Sequence, residues 1–288
     1  MGDWPFDEHT DLAPAAYLSQ AGAAFATFDA RTQDSGNVSF GVEASGRRWF
    51  VKTAGDPADR APFLSRQARV ALLLNAQRLA RAVSHPALPA LRGVTQSAWG
   101  PMLIYEWAPG ELVGAHSARR ADPESAFQRF RRLPADELTA AIGAILDAHL
   151  ELCRAGWVAC DFYDGSIIYD FSARKTWLID LDTYRHGPFT NEMGRMFGST
   201  RFMAPEEFER GALIDERTTV FTLGRMMDVF LGDGDLGPGG FRGGKTQYRA
   251  MLTACRSDLP HGSKASPSWW APGAAWASSE PGRWRPAS

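Results

Sequence analysis

Short apolar runs broken by turn chemistry fill residues 22 to 53. AFATFDA is followed by the polar stretch RTQDSGN, then VSFGVEA, the turn Ser45-Gly46, and RRWFVKT. Aromatic and β-branched residues bounded by Asp-Ser-Gly and Ser-Gly predict an antiparallel meander of three strands. The period then changes. FLSRQARVALLLNAQRLARAV places apolar side chains three and four residues apart, which predicts a helix ended by His85-Pro86. ALRGVTQ and PMLIYEW, around Trp99-Gly100, predict two more strands.

Beyond Pro109-Gly110 helical spacing dominates. DELTAAIGAILDAHLELCRAG is amphipathic, acidic at its start and closed by Gly156, as dipole and C-cap preferences favour. GWVACDFYDGSIIYD, residues 156–170, reads as strand, polar loop with two aspartates, and strand, and KTWLIDLDTY follows it. TTVFTLGRMMDVFL predicts another helix. After Gly232 the pattern loosens into GDGDLGPGGFRGG, a short helix around TQYRAMLTAC, and a tail of Pro, Ser, Ala and Gly. The class is α+β, with a small β-rich lobe and a larger helical one. The expected division is residues 1–106 with an N-terminal extension, 107–258, and a tail 259–288 carrying Trp269, Trp270, Trp276 and Trp284. No internal repeat is visible.

Composition narrows the function classes. The chain has 288 residues, 44% apolar and 22% charged, with a net charge of -2, so neither nucleic acid nor an anionic membrane is expected as the main partner. Cys153, Cys160 and Cys255 are an odd number without ligand spacing, which argues against a disulfide framework or a zinc site and for a reducing cytoplasm. MGDWPFDEHTD has no apolar core to serve as a signal peptide, and Phe6 stands where a myristoylation signal has Ser or Thr. No run approaches the ~20 apolar residues that span a bilayer.

The candidate chemistry lies in stretches that follow one another in a set order: DSGNVSFG (34–41), WFVK ending at Lys52, LIYEWAPGE (103–111), the 156–170 loop, LIDLDTY (178–184), GSTRFMAPEEF (198–208) and TVFTLG (219–224). In this order they resemble the eukaryotic-like serine/threonine protein kinases of bacteria, from about Asp34 to Gly232, and the resemblance implies a two-lobed protein kinase-like fold. It implies ATP and Mg²⁺ as cofactors and a hydroxyl, protein or small-molecule, as acceptor. Lys52 matches the strand lysine that grips the α- and β-phosphates; taken alone, a solvent-facing strand lysine explains it as well. Ser35, Gly36 and Asn37 match the phosphate flap, where backbone N–H groups face the phosphates, and an ordinary hairpin turn is the alternative. Glu106 and Ala108, after Tyr105, match the backbone groups that frame adenine.

Within the loop, Asp161 matches the carboxylate that takes or orients the acceptor's proton, and Ser166 stands at the position of a metal-binding asparagine. Asp180 matches the principal metal ligand; its apolar neighbours Trp177, Leu178, Ile179 and Leu181 suggest a desolvated carboxylate needing a metal or partner. Asp182 adds a second carboxylate, either a further ligand or a turn residue. GSTRFMAPEEF is the closest match, and with it Thr190, Ser199 and Thr200 become candidate phosphorylation sites.

The departures are as specific. The helix glutamate that orients the lysine is replaced by Ala76, leaving Gln77 or a distant carboxylate as substitute. Ala159 and Cys160 replace the histidine and arginine before the loop aspartate, and loss of that arginine removes the usual partner of an activating phosphate. Thr219 replaces the aspartate that braces the loop backbone, and Glu206 has Gly262, beyond Asp258, where its arginine should stand. Three readings stand open. The retained Lys52, Asp161 and Asp180 favour an ATP- and Mg²⁺-dependent kinase acting on protein Ser/Thr. A shaped pocket would favour a small-molecule, antibiotic-type phosphotransferase. The missing glutamate favours a non-catalytic pseudokinase that binds nucleotide or protein.

Overall fold

The computed structural model describes residues 4–29, 36–55, 63–114 and 119–255. Among the described residues the chain is mixed α/β, with a six-stranded sheet and six helices. The chain separates into two compact units, one from Met1–Ser84 with Pro89–Ala108 and the other from His85–Leu88 with the chain from Pro109 onward. The expected tail, with its four tryptophans, lies outside the described residues, as do Asp258 and Gly262.

The first unit is built on the predicted meander. β2 (Ala23–Phe28), β3 (Val38–Ala44) and β4 (Arg47–Thr53) pair antiparallel, and β6 (Gly100–Glu106) joins β4 on one side and β5 (Leu91–Ser97) on the other. The sixth strand is unforeseen: β1 (His9–Thr10) lies parallel to the free edge of β5. Apolar alternation did not reveal it, because two residues carry no period. Its anchors are aromatic. Trp4 and Phe6 pack edge-to-face on Trp49, and helix α1 (Pro14–Ala21) turns Tyr17 inward to accept the Asp7 N–H through its hydroxyl at 2.6 Å.

Strand alternation gives this sheet two faces. Trp49, Val51, Met102 and Ile104 join Phe6, Tyr17 and Leu18 in one core, while Leu103 and Ala54 meet Leu73 and Ala76 of α2 (Arg66–Ala82) in the other. Ser65 caps α2 by accepting the Ala68 N–H.

The second unit is mainly helical. The longest helix, α4 (Ala135–Arg154), buries Leu138, Ile142, Ile145, His149 and Leu152 along one stripe and ends in Gly156 at φ +81°. α5 (Glu216–Leu231), capped by Asp215, is buried on most sides and packs against α6 (Lys245–Ala254), where Gly224 lets Ala254 and Cys255 come close. α3 (Ala126–Arg131), also unforeseen, is anchored by Phe127 and Phe130 against Phe230.

Short strands carry the loops between. β7 (Glu111–Leu112), β9 (Ile167–Asp170) and β10 (Lys175–Leu178) form one sheet; β8 (Trp157–Val158) pairs with β11 (Arg185–His186), and β12 (Phe189–Thr190) with β13 (Leu213–Ile214). Among the described residues no helix is long and apolar enough to cross a membrane.

Candidate functional site

The pairings of the second unit form one long hairpin with an opening in its middle. β8 pairs with β11 and β9 with β10, so the loop from β8 to β9 (159–166) must face the segment from β10 to β11 (179–184). Two hydrogen bonds close the opening at either end. Ile179 N–H donates to the Ser166 carbonyl at 2.9 Å, and the Thr183 hydroxyl donates to the Cys160 carbonyl at 2.9 Å. Asp161 and Ser166 therefore stand across from Asp180 and Asp182.

Both leading carboxylates sit on left-handed backbone, Asp161 at φ +58° and Asp180 at φ +60°. Only five described non-glycine residues do so, and aspartate is among the few side chains that tolerate it. Such residues persist where the surroundings over-determine them, and they gather at functional sites. The surroundings here are specific. Ala159 N–H donates to Thr219 Oγ1 at 2.9 Å, so a threonine of α5 braces the loop backbone. Tyr184, fully buried, lies close enough to Asp161 and Asp180 for both to hold its phenol in the neutral form, after the larger effect of burial. Its hydroxyl meets His149 Nε2 at 2.8 Å, while His149 Nδ1 meets the Ile145 carbonyl at 2.8 Å. A carbonyl can only accept, so Nδ1 carries the proton and Tyr184 donates to Nε2. Burial pushes the His149 pKa down to about 4, which keeps the ring neutral.

The sequence argument for Asp180 needs correction. Its side chain is exposed, not desolvated, because β10 ends at Leu178 and the left-handed turn carries the carboxylate outward while Leu178 and Leu181 point in. Asp182 and Asp161 are half-buried. Ser166 is the buried member. It is 1% exposed, and its hydroxyl finds no hydrogen-bond partner among the described residues. A buried hydroxyl left unsatisfied costs about 1–3 kcal/mol, which a bound ligand would recover. No group of three or more His, Cys, Asp or Glu is placed to hold a metal among the described residues. An ion here would take one or two carboxylates and the Ser166 hydroxyl from the protein and its remaining ligands from elsewhere, the habit of Mg²⁺ on phosphates.

The stretch 198–208 closes on this loop. A Cβ added to Gly198, itself at φ +141°, would stand 3.6 Å from Asp161 Oδ1. Arg201 Nη2 reaches both oxygens of Asp164 at 2.7 Å. Glu207 is 2% exposed and accepts the Ala204 N–H at 2.7 Å. Burial, with Glu206 and Asp161 nearby, pushes its pKa up to about 7. Glu206 accepts the Thr218 hydroxyl at 2.7 Å.

The remaining candidates belong to the first unit. Lys52 is only 6% exposed, which removes the solvent-facing alternative. It pairs with Leu103 across β4 and β6, so both stand on the face covered by α2. Ala76 and Gln77 are buried on α2. Gly36 (φ +83°) and Asn37 are buried, and Arg69 of α2 donates through Nη1 to the Gly36 carbonyl at 2.8 Å and to the Ala54 carbonyl. Ser35 lies outside the described residues. Glu106 donates its N–H to the Ala90 carbonyl and accepts the Arg92 Nε–H through its carboxylate at 2.9 Å, and Ala108 is buried.

Sequence reading did not find His149, Thr183, Tyr184, Arg69 or the Asp164–Arg201 pair. Asp164 was visible as the second loop aspartate, but its partner is 37 residues away and no pattern links them. No protein-family model matches the chain, and no curated protein matches it.

Proposed function

We propose that the protein is an ATP- and Mg²⁺-dependent kinase with a two-lobed protein kinase-like fold, transferring the γ-phosphoryl group to a hydroxyl, with protein Ser/Thr as the favoured acceptor. One observation carries the reading: Asp161 and Asp180, both held on left-handed backbone, face each other across an opening in a hairpin beside the unsatisfied Ser166 hydroxyl. Asp161 would take or orient the acceptor's proton, and its place beside Gly198 ties that role to the 198–208 stretch. Asp180, Ser166 and Asp182 would hold Mg²⁺, which supplies charge neutralisation on the transferring phosphate. Lys52 would grip phosphate oxygens as a point charge, and Gly36 and Asn37, with Ser35, would offer backbone N–H groups. Glu106 and Ala108 would frame the base. Phosphoryl transfer depends chiefly on positioning and charge, and the side chains for both are present.

The pseudokinase is the second reading, favoured by Ala76 in place of the orienting glutamate. ADP release from Mg²⁺-ATP by the purified protein, beside an Asp180→Asn variant, separates them. Turnover that falls at least about 100-fold in the variant supports the kinase, since a ligand of the reacting metal is worth several kcal/mol. Equal background release from both proteins would leave a nucleotide- or protein-binding module.

A further inference from the structure

The ion pair of buried Asp164 with partly exposed Arg201 is used by none of the roles above. Asp164 is 2% exposed and sits in the 3-10 turn Asp164–Ser166, between the proposed base and the proposed metal ligand. Arg201 comes from the stretch that passes Asp161 at Gly198. A single guanidinium nitrogen bridges both carboxylate oxygens at 2.7 Å, and the arginine is 27% exposed. Its charge also lies 4.9 Å from the Phe202 ring and 5.9 Å from Phe127. The backbone is held as well. Arg225 Nε donates to the Arg201 carbonyl at 3.1 Å, Arg225 Nη1 pairs with fully buried Asp228 at 2.6 Å, and Asp228 accepts the Leu236 N–H. Two ion pairs, Asp164–Arg201 and Arg225–Asp228, joined through the Arg201 carbonyl, thus run from the loop through the 198–208 stretch into α5.

We infer that Arg201 and Asp164 form a built-in latch, in which an internal carboxylate does the ordering that a phosphate does in switchable segments, so that 198–208 docks on the loop without modification. A phosphate orders a segment by offering oxygens to an arginine. Here the arginine is on the segment, the oxygens belong to the protein, and their burial protects the pair from screening. Arg201 is then a positioning residue: through Asp164 it sets the turn that carries Ser166 and follows Asp161. Its effect on turnover rests on the kinase reading; its effect on the segment does not.

Amide hydrogen exchange of the nucleotide-free protein reads the latch directly. Arg201→Gln and Asp164→Asn each raise exchange across 198–208 by about tenfold or more, with α4 unchanged, because each leaves a charge unpaired. The double variant Asp164→Asn/Arg201→Gln raises it no further than the larger single change, within about twofold, as coupled partners require. Arg201→Lys, which keeps the charge, falls between wild type and Arg201→Gln. Replacing Thr190, Ser199 and Thr200 together with alanine leaves exchange at the wild-type level. Wild-type exchange in both single variants, additive effects in the double, or loosening in the triple alanine variant would each overturn the latch. If the protein turns over ATP, the single variants lower kcat with KM little changed; if it does not, the exchange result still decides.

Discussion

Glu207 shows how a single buried carboxyl couples this loop to pH. Its pKa is pushed up to about 7 by burial first, then by Glu206 and Asp161. The folded protein therefore holds this proton more tightly than the unfolded chain does. Its contribution is fully present below the ordinary value of 4.5 and is lost as pH rises through about 7. The amount at stake is on the order of 3 kcal/mol. His149 acts in the opposite window: with its pKa lowered to about 4, its contribution is present above 6.5 and lost as pH falls through about 4. Urea unfolding of Glu207→Gln against wild type isolates the carboxyl, since His149 is common to both. The difference in stability should grow in favour of the variant between pH 5 and 8. A constant difference across that range would mean that Glu207 is ionised in the folded protein.

At the scale of the element, α2 is tied to the sheet from its first turns by Arg69, whose guanidinium joins the Gly36 and Ala54 carbonyls. That tie holds the left-handed Gly36 turn beside buried Asn37 and the end of β4 that carries Lys52. Hydrogen bonds to a charged group are worth about 1.5–3 kcal/mol, so Arg69→Ala should lower unfolding stability by about 2–4 kcal/mol in urea. Arg69→Lys, with a single ammonium in place of the fork, should recover only part of it. A loss below about 0.5 kcal/mol would show the tie to be incidental. Elements with a period were legible beforehand: the meander, α2, α4 and α5 follow from alternation or three-four spacing. α1, α3 and β1 were not, because each is held by a few aromatic contacts (Tyr17, Phe127 and Phe130, Trp4 and Phe6) that leave no repeating pattern.

Across the whole molecule the three thiols report on one unit. Cys153 at the end of α4, Cys160 in the loop and Cys255 after α6 all belong to the second unit, and burial pushes each pKa up to about 12. The thiolate is the reactive form, so native alkylation at pH 8 should be slow for all three. Mild urea should make labelling of Cys153 and Cys255 rise together with loss of α4 and α5 helicity, since one sulfur is on α4 and the other lies beside Gly224 of α5, while Cys160 packs with Met196, Met203 and Ile214. Fast labelling of Cys160 in the native protein would mean that the 159–166 loop opens without the rest.

The chain by itself determined its α+β class and the order of its periodic elements, because alternation and helical spacing are local properties; Asp161, Asp180, Ser166 and Lys52 were singled out by the resemblance that its ordered motifs carry. Burial was decided only by tertiary structure: it removed the solvent-facing alternative for Lys52, which lies under α2, and it reversed the expectation of a desolvated Asp180, which turns out to solvent. Tertiary structure also chose the partners, Thr219 for Ala159, Thr218 for Glu206, Tyr184 for His149 and Arg201 for Asp164. The reason is physical. A hydrogen bond between residues 12 to 60 positions apart depends on where the backbone returns, and the intervening sequence carries no period that records the return.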